Sequence, residues 1–444
     1  LSGFGMRPEM SDTLVVAISQ SGTTTDTNRT VDLVRARGAA VISIVNRRGS
    51  DLCDKSDGVL YTSDGRDVEM SVASTKAFYA QIAAGFLLAY ALADVFAERA
   101  DAQGLAVASN EGRAERSEVL AALRELPEKM TRTVATRAAI ASAAQRFAPS
   151  RRYWAIVGSG ADRIAAQEIR VKLSELCYKS IACDAIEDKK HIDLSSEPLI
   201  LVCATGLFGS NADDVAKEVA IYRAHKAAPV VIATEGEERF AAALEVLCVP
   251  VTHPKLAFVL GTVVGHLFGY EAALAIDAQA IPLREARSAL DEVSASTDDG
   301  DVLLATMADR LEPVARAWGD GLRSGAYDGH LEASAGSRIS TLLRYASGVL
   351  PLEVYQLDFG RQGSPDVLVE ALGGALGQGI EQLTRPVDAI KHQAKTVTVG
   401  ISRSDEGVLG VPLVAAVVDS GAPRDRLTYR ALRTLAALDP AVAE

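Results

Sequence analysis

Short apolar runs alternate with helical stripes through the first 280 or so residues. Leu14-Val15-Val16-Ala17-Ile18 is β-branched and apolar, and predicts a strand. A cluster of hydroxyls follows, and then Val31, Leu33, Val34 and Ala36 are spaced for one face of a helix ending near Gly38. Runs at 41–45 and 59–62 predict two further strands. An apolar helix opens in Val72-Ala73-Ser74-Thr75-Lys76-Ala77-Phe78 and continues through Leu92. A charged helical stretch, about 110–147, leads to a second set. That set has a strand at 153–157, a helix carrying Ile164, Ala165, Ile169, Val171, Leu173 and Leu176, and strands at 199–203, 230–232 and 246–249. A helix from Asn211 lies among them, and a long apolar helix covers about 255–276. Strands alternating with helices predict an α/β class with parallel sheets.

The two sets are one pattern used twice. The strand at 14–19 answers that at 199–204, an offset of 185 (199 − 14), and Ala77-Phe78 answers Ala257-Phe258, an offset of 180 (257 − 77). The second set opens with a strand and helix, 153–178, that the first lacks. From this, and from Leu1 in place of an initiator methionine, the chain reads as a fragment of a longer protein. Beyond 285 helical segments dominate, at 302–318 and 339–350. A short helix at 388–395 and a strand start at 396–399 follow, then an apolar run at 408–418 and a helix at 427–438. The expected organisation is 1–148 and 149–285 as two α/β domains, 286–385 as a helical insert, and 386–444 as a C-terminal segment.

The composition of the 444 residues, 48% apolar and 23% charged with net charge −12, is that of a globular chain. No basic stretch interleaved with aromatics suggests nucleic acid. No run of about 18 uninterrupted apolar residues suggests a membrane span. Cys53, Cys177, Cys183, Cys203 and Cys248 form no Cys-x-x-Cys pair and sit mostly in apolar runs. They read as mostly buried reduced thiols, consistent with cytoplasm. No His pair has metal-ligand spacing with a third ligand, so no metal is expected.

The candidate chemistry begins in Ser19-Gln20-Ser21-Gly22-Thr23-Thr24-Thr25-Asp26-Thr27. Hydroxyls and free N–H groups at a helix start suit an anion. With no Gly-x-x-x-x-Gly-Lys-Ser/Thr, a phosphate monoester fits better than a nucleotide. One N-cap would need only one hydroxyl. The second copy has Ala204-Thr205-Gly206-Leu207-Phe208-Gly209 here, so phosphate is expected in the first copy alone. Glu168, Lys172 and Glu175 share one helical face, which could equally be a solvated stripe. Gly158-Ser159-Gly160 begins like a dinucleotide fingerprint, but position 163 is Arg. His191, in a polar loop, can be a general acid or base or a plain surface residue. His253, His266 and His330 have no neighbours in sequence that suggest catalysis. Lys395, one turn after Lys391, has an amine suited to Schiff-base chemistry or to satisfying a helix C-terminus.

Taken together, these residues resemble the isomerase half of the glutamine–fructose-6-phosphate aminotransferase family, which is built from tandem three-layer sugar-isomerase (SIS) domains. Ser19–Thr27 resembles that family's phosphate loop, and Val72–Phe78 is similar to its Val-Ala-Ser-Thr-Lys-Ala-Phe signature. Glu168, Lys172 and Glu175 match its Glu-x-x-x-Lys-x-x-Glu helix, with His191 following Glu175 by 16 residues (191 − 175). Ala394-Lys395-Thr396-Val397-Thr398-Val399 looks like its C-terminal Ala-Lys-Ser-Val-Thr-Val. The resemblance implies that Ser19, Gln20, Ser21 and Thr24 hold a sugar phosphate, while Val72 and Ser74 line the sugar site. It implies ring opening by His191 from a partner subunit of a homodimer, an imine at Lys395, and proton transfer between C1 and C2 by Glu175. It implies no cofactor beyond ammonia, and a glutaminase domain upstream. Three features depart from the family. Glu187–Asp193 replaces a Gly-Glu-Leu-Lys-His-Gly-Pro loop, a helical insert precedes Lys395, and 49 residues follow it (444 − 395). A sugar-phosphate sensor and an ammonia-independent phosphosugar isomerase are the alternatives on the same scaffold.

Overall fold

Two parallel sheets organise the chain, as the alternation of strand and helix predicts. The computed structural model describes residues 6–63, 74–102, 110–384, 410–422 and 429–442. The chain divides into two compact units, Leu1–Arg116 with Val387–Glu444, and Ser117–Pro386.

In the first unit β1 (Leu14–Ser19), β2 (Ala40–Val45) and β3 (Gly58–Tyr61) lie parallel in the order β1-β2-β3. The β1–β2 register runs from Leu14 opposite Ala40 to Ser19 opposite Val45. Helix α1 (Thr25–Arg35) returns the chain from β1 to β2 and buries Val31 and Val34 against Val41, Val45 and Leu52 of the short α2 (Asp51–Asp54). That packing sets the loop before α1 at the C-terminal end of β1, where ligands of open parallel sheets bind. Helix α3 (Lys76–Ala102) follows.

Helix α4 (Asn110–Ala135), most of it in the second unit, and α5 (Arg137–Phe147) lead into β4 (Trp154–Gly158) and α6 (Asp162–Cys177). The strands β5 (Ala182–Asp184), β6 (Leu199–Ala204), β7 (Ala228–Thr234) and β8 (Glu245–Val249) complete a parallel sheet of order β5-β4-β6-β7-β8. Every residue of β6 is buried, as expected of a parallel strand covered on both faces. The order β6-β7-β8 repeats β1-β2-β3, and β4 and β5 are the addition. The three-residue β5 was not expected, because Ala-Cys-Asp carries no alternation. Between β5 and β6 lies α7 (His191–Leu194), and between β6 and β7 lies α8 (Gly209–Ala224).

The long helix α9 (Pro254–Ala278) answers α3 in the repeat. The segments Lys76–Arg99 and Pro254–Ser296 are each long and apolar enough, by length and composition, to cross a membrane. A search for uninterrupted apolar runs misses them, since single polar residues break both. Helix α9 is a core helix packed on α5 and α6, with Val259, Leu260, Val264 and Phe268 fully buried.

Helices α10 (Ile281–Ser296), α11 (Gly300–Arg323), α12 (Ala333–Ala346), α13 (Tyr355–Phe359) and α14 (Pro365–Leu383) belong to the second unit and share a core of their own around Met307, Leu311, Trp318, Leu342 and Leu372. Helix α14 was not singled out from sequence because Gly373, Gly374, Gly377 and Gly379 weaken the helical signal. Gly379 is needed for packing: a Cβ there would stand 2.7 Å from Ile339. The expected features at 388–395 and 396–399 lie outside the described residues. The tail holds helices Pro412–Asp419 and Tyr429–Val442. Of the five cysteines, all free, only Cys177 and Cys203 are buried, which corrects the expectation. Cys248 alternates outward on the edge strand β8.

Lys179 ties this helical region to the second sheet. Its Nζ donates to the carbonyls of Arg151 (3.0 Å), Arg152 (2.9 Å) and Gly329 (2.9 Å), and lies 4.9 Å from the Trp154 ring centroid. Beside it His330 Nδ1 donates to Pro149 O at 3.2 Å, and burial pulls this imidazole down to about 3, so it is neutral near pH 7. Lys179→Met keeps the stem and strands three carbonyls. It should lower the unfolding free energy of this unit by about 2–4 kcal/mol, read by denaturant titration.

Candidate functional site

The hydroxyl loop is built by its own hydrogen bonds. Ser19, at the end of β1, accepts from Gly22 N (3.0 Å), and Ser21 Oγ accepts from Thr23 N (3.2 Å) and Thr23 Oγ1 (3.1 Å). Gly22 turns with φ +66°, and its carbonyl accepts from Leu52 N and the Asn28 side chain. Gln20 O accepts from Arg47 N. Thr24 is the N-cap of α1, yet its side chain makes no capping hydrogen bond. The plain capping explanation for this hydroxyl cluster therefore fails at the residue best placed to cap. The opening N–H groups of α1 keep their anion-binding character.

The matching loop of the second unit is tied down instead. Thr205 Oγ1 donates to Asp162 Oδ1 at 2.6 Å, and Gly206 N donates to Thr234 Oγ1 at 2.9 Å. Asp162 is 3% exposed, and burial pushes its carboxyl up to about 7, against the opposing Thr205 hydrogen bonds. A carboxyl whose folded pKa is raised stabilises the fold fully below the unfolded value, and that contribution is lost as pH rises through about 7. Asp162→Asn can still accept from Thr205 but does not ionise. Its stability relative to wild type should therefore rise by about 3 kcal/mol between pH 5 and pH 8, at ~1.36 kcal/mol per pKa unit, as measured by urea unfolding.

Helix α6 brings Glu168, Lys172 and Glu175 together, and they are not a solvated stripe. Lys172 Nζ lies 3.4 Å from Glu168 Oε1 and 3.6 Å from Glu175 Oε2, with side-chain exposures of 9%, 15% and 22% for Lys172, Glu168 and Glu175. Sequence reasoning missed a fourth member. His266 of α9 places Nε2 3.3 Å from Glu168 Oε1, with its side chain 9% exposed. Burial alone would raise Glu168. The His266 and Lys172 contacts outweigh it and hold this carboxyl below its ordinary range. His266 stands 98 residues from Glu168 (266 − 168), so no local spacing reports the pair. The only sequence signal is Gly265 and Gly269 on either side of it.

The main chain of His191 opens α7, after a 3-10 turn at Ile186–Asp188, rather than lying in an open loop. Ser159, in the Gly-Ser-Gly turn, anchors this region: its Oγ donates to Glu187 Oε2 (2.9 Å) and accepts from Ile186 N (3.2 Å). Ser74 is half-buried just before α3. Val72 and Lys395 lie outside the described residues. A cleft of about 540 Å³ opens where α6 and α9 end, lined by Tyr178, Tyr270, Asp277, His330 and Glu381; it does not include Glu168 or Glu175.

Residues 6–91 match the SIS domain family. A glutamine–fructose-6-phosphate aminotransferase (isomerizing) of Corynebacterium glutamicum is 34% identical over 231 residues, 51% of this chain and 35% of that protein. One from Mycolicibacterium smegmatis is 37% identical over 182 residues, 40% of this chain and 26% of that protein. The chain thus spans well under half the length of these relatives. In fold it is similar to the C-terminal domain of glucosamine-fructose-6-phosphate aminotransferase from Francisella tularensis, with TM-score 0.51 and 22% identity, covering 61% of this chain and 74% of that one. Residues 6–91 are thus similar to SIS domains, and about half of the chain is similar to the isomerizing glutamine–fructose-6-phosphate aminotransferases.

Proposed function

We propose that this chain is the isomerase part of a sugar-phosphate aminotransferase that makes glucosamine-6-phosphate from fructose-6-phosphate and ammonia. The observation that carries the reading is the half-buried Glu168–Lys172–Glu175 array on α6, in which one lysine lies within 3.6 Å of both carboxylates. In this reading the phosphate rests on Ser19, Gln20, Ser21 and Thr24 and on the first N–H groups of α1, while Val72 and Ser74 border the sugar. Lys395 condenses with the open-chain ketose, and ammonia displaces it to give fructosimine-6-phosphate. Glu175 takes a proton from C1 as the imine nitrogen takes one from solvent, which gives the enolamine; the carboxyl exchanges with solvent and delivers a proton to C2, while the C1 hydroxyl releases its own to solvent and becomes the aldehyde. His191 of a second copy assists ring opening, so the working form is a cytoplasmic homodimer. Ammonia comes from a glutaminase domain in the parent protein.

Fructose-6-phosphate supplied with and without an ammonium salt tests the reading. Glucosamine-6-phosphate formed only with ammonium supports it. An aldose phosphate formed equally in both makes the chain a simple isomerase. Binding without any product makes it a sensor.

A further inference from the structure

We infer that His266 is a positioning residue for Glu175, acting through Glu168 and Lys172. This rests on the proposed role of Glu175. Two glycine notches bring α9 onto α6: a Cβ at Gly265 would stand 2.2 Å from Ile169 Cδ1, and one at Gly269 would stand 2.6 Å from Leu173 Cδ1. The close approach fixes the register of the two helices and sets His266 against Glu168 at 3.3 Å. Glu168 then has two partners, His266 and Lys172, and Lys172 has two, Glu168 and Glu175.

A lysine between two half-buried carboxylates divides its charge according to how well each is otherwise satisfied. With His266 in place, Glu168 makes a weaker demand on Lys172, and the ammonium stays available to Glu175. Without it, Glu168 draws Lys172 away, and Glu175 is left with less compensating charge. Loss of a nearby cation raises a carboxyl's proton affinity. A base that must hold a proton and then release it is sensitive to that change. Two other acidic groups on these elements are engaged elsewhere. Asp162 binds Thr205, and Glu271 of α9 pairs with Arg137 of α5 at 2.6 Å. Arg137 in turn lies over Tyr270. At the far end of α6, Cys177 Sγ donates to Gly269 O.

His266→Leu removes the contact and keeps the volume close. His266→Gln keeps an N–H donor. The expected result is a fall in kcat of about tenfold or more in the Leu variant with KM nearly unchanged, and recovery to within about threefold in the Gln variant. A second readout does not need turnover: the 13C-carboxyl titration of Glu175, assigned by its loss in Glu175→Gln, should move up in the Leu variant and return in the Gln variant. Equal kcat in all three proteins, or a Glu175 titration that stays in place, overturns the role of His266. A titration that moves in a protein with no turnover supports the His266 coupling and sinks the catalytic reading of Glu175 instead. Should the Leu variant fail to fold, His266→Asn, which shortens the donor, takes its place with the same expectations.

Discussion

Glu175→Gln should lower turnover by about 10³-fold or more while leaving sugar-phosphate affinity within about threefold of wild type. The amide fills the same space on α6 and can accept a hydrogen bond, but it cannot take a proton from carbon. Binding is held elsewhere in the proposed mechanism, on the loop before α1, so a loss confined to kcat is the signature. The substitution also removes the negative partner 3.6 Å from Lys172. Lys172 keeps Glu168 at 3.4 Å, so the fold should survive. Steady-state kinetics with ammonium, together with calorimetric titration of fructose-6-phosphate, separate the two effects. A variant that has lost affinity as well would place Glu175 in binding rather than in proton transfer.

Gly22→Val should cost at least about tenfold in sugar-phosphate affinity. Two effects add at this position. The backbone turns through φ +66°, where a β-branched residue is strained. The new Cβ would also stand 1.9 Å from Ser50 Oγ and 2.6 Å from Ser50 Cβ, and Ser50 is only 3% exposed. The buried wall cannot yield, so the loop must move. That movement breaks the bonds from Leu52 N and Asn28 to Gly22 O and shifts the hydroxyls of Ser19 and Ser21 with it. Pairing Gly22→Ala with Ser50→Gly removes the collision with Ser50 and leaves the backbone strain, of order 1–3 kcal/mol, and a tight 3.1 Å approach to Val45 Cγ1. That double variant should recover part of the affinity. Equal affinity in Gly22→Val and wild type, by titration with fructose-6-phosphate, would remove this loop from the site.

The order of strands and helices was legible because each apolar run has a clean period and ends in Gly or hydroxyl residues. The repeat was legible because β1 and β6, and likewise α3 and α9, carry similar runs at nearly constant offset. The triad on α6 was visible as a pattern, but periodicity cannot report burial. A stripe of Glu, Lys and Glu reads the same whether it faces water or, as here, the packed face against α9. His266 was invisible for another reason: its partner is distant in sequence, and a lone histidine in an apolar helix gives no sign of what it meets. Helix α14 hid behind its glycines, of which Gly379 serves the close approach of Ile339. The tie between Asp162 and Thr205 joins residues 43 apart and could be found only in three dimensions.

Proton transfer at C1 of a sugar phosphate by one carboxylate is the central step of the proposed reaction. Proton NMR of fructose-6-phosphate and ammonium in D2O with the protein reads that step. Wild type should wash out the C1 proton signal and leave deuterium at carbon, and Glu175→Gln should leave that signal intact over the same time. Washout at the same rate in both proteins would contradict the account.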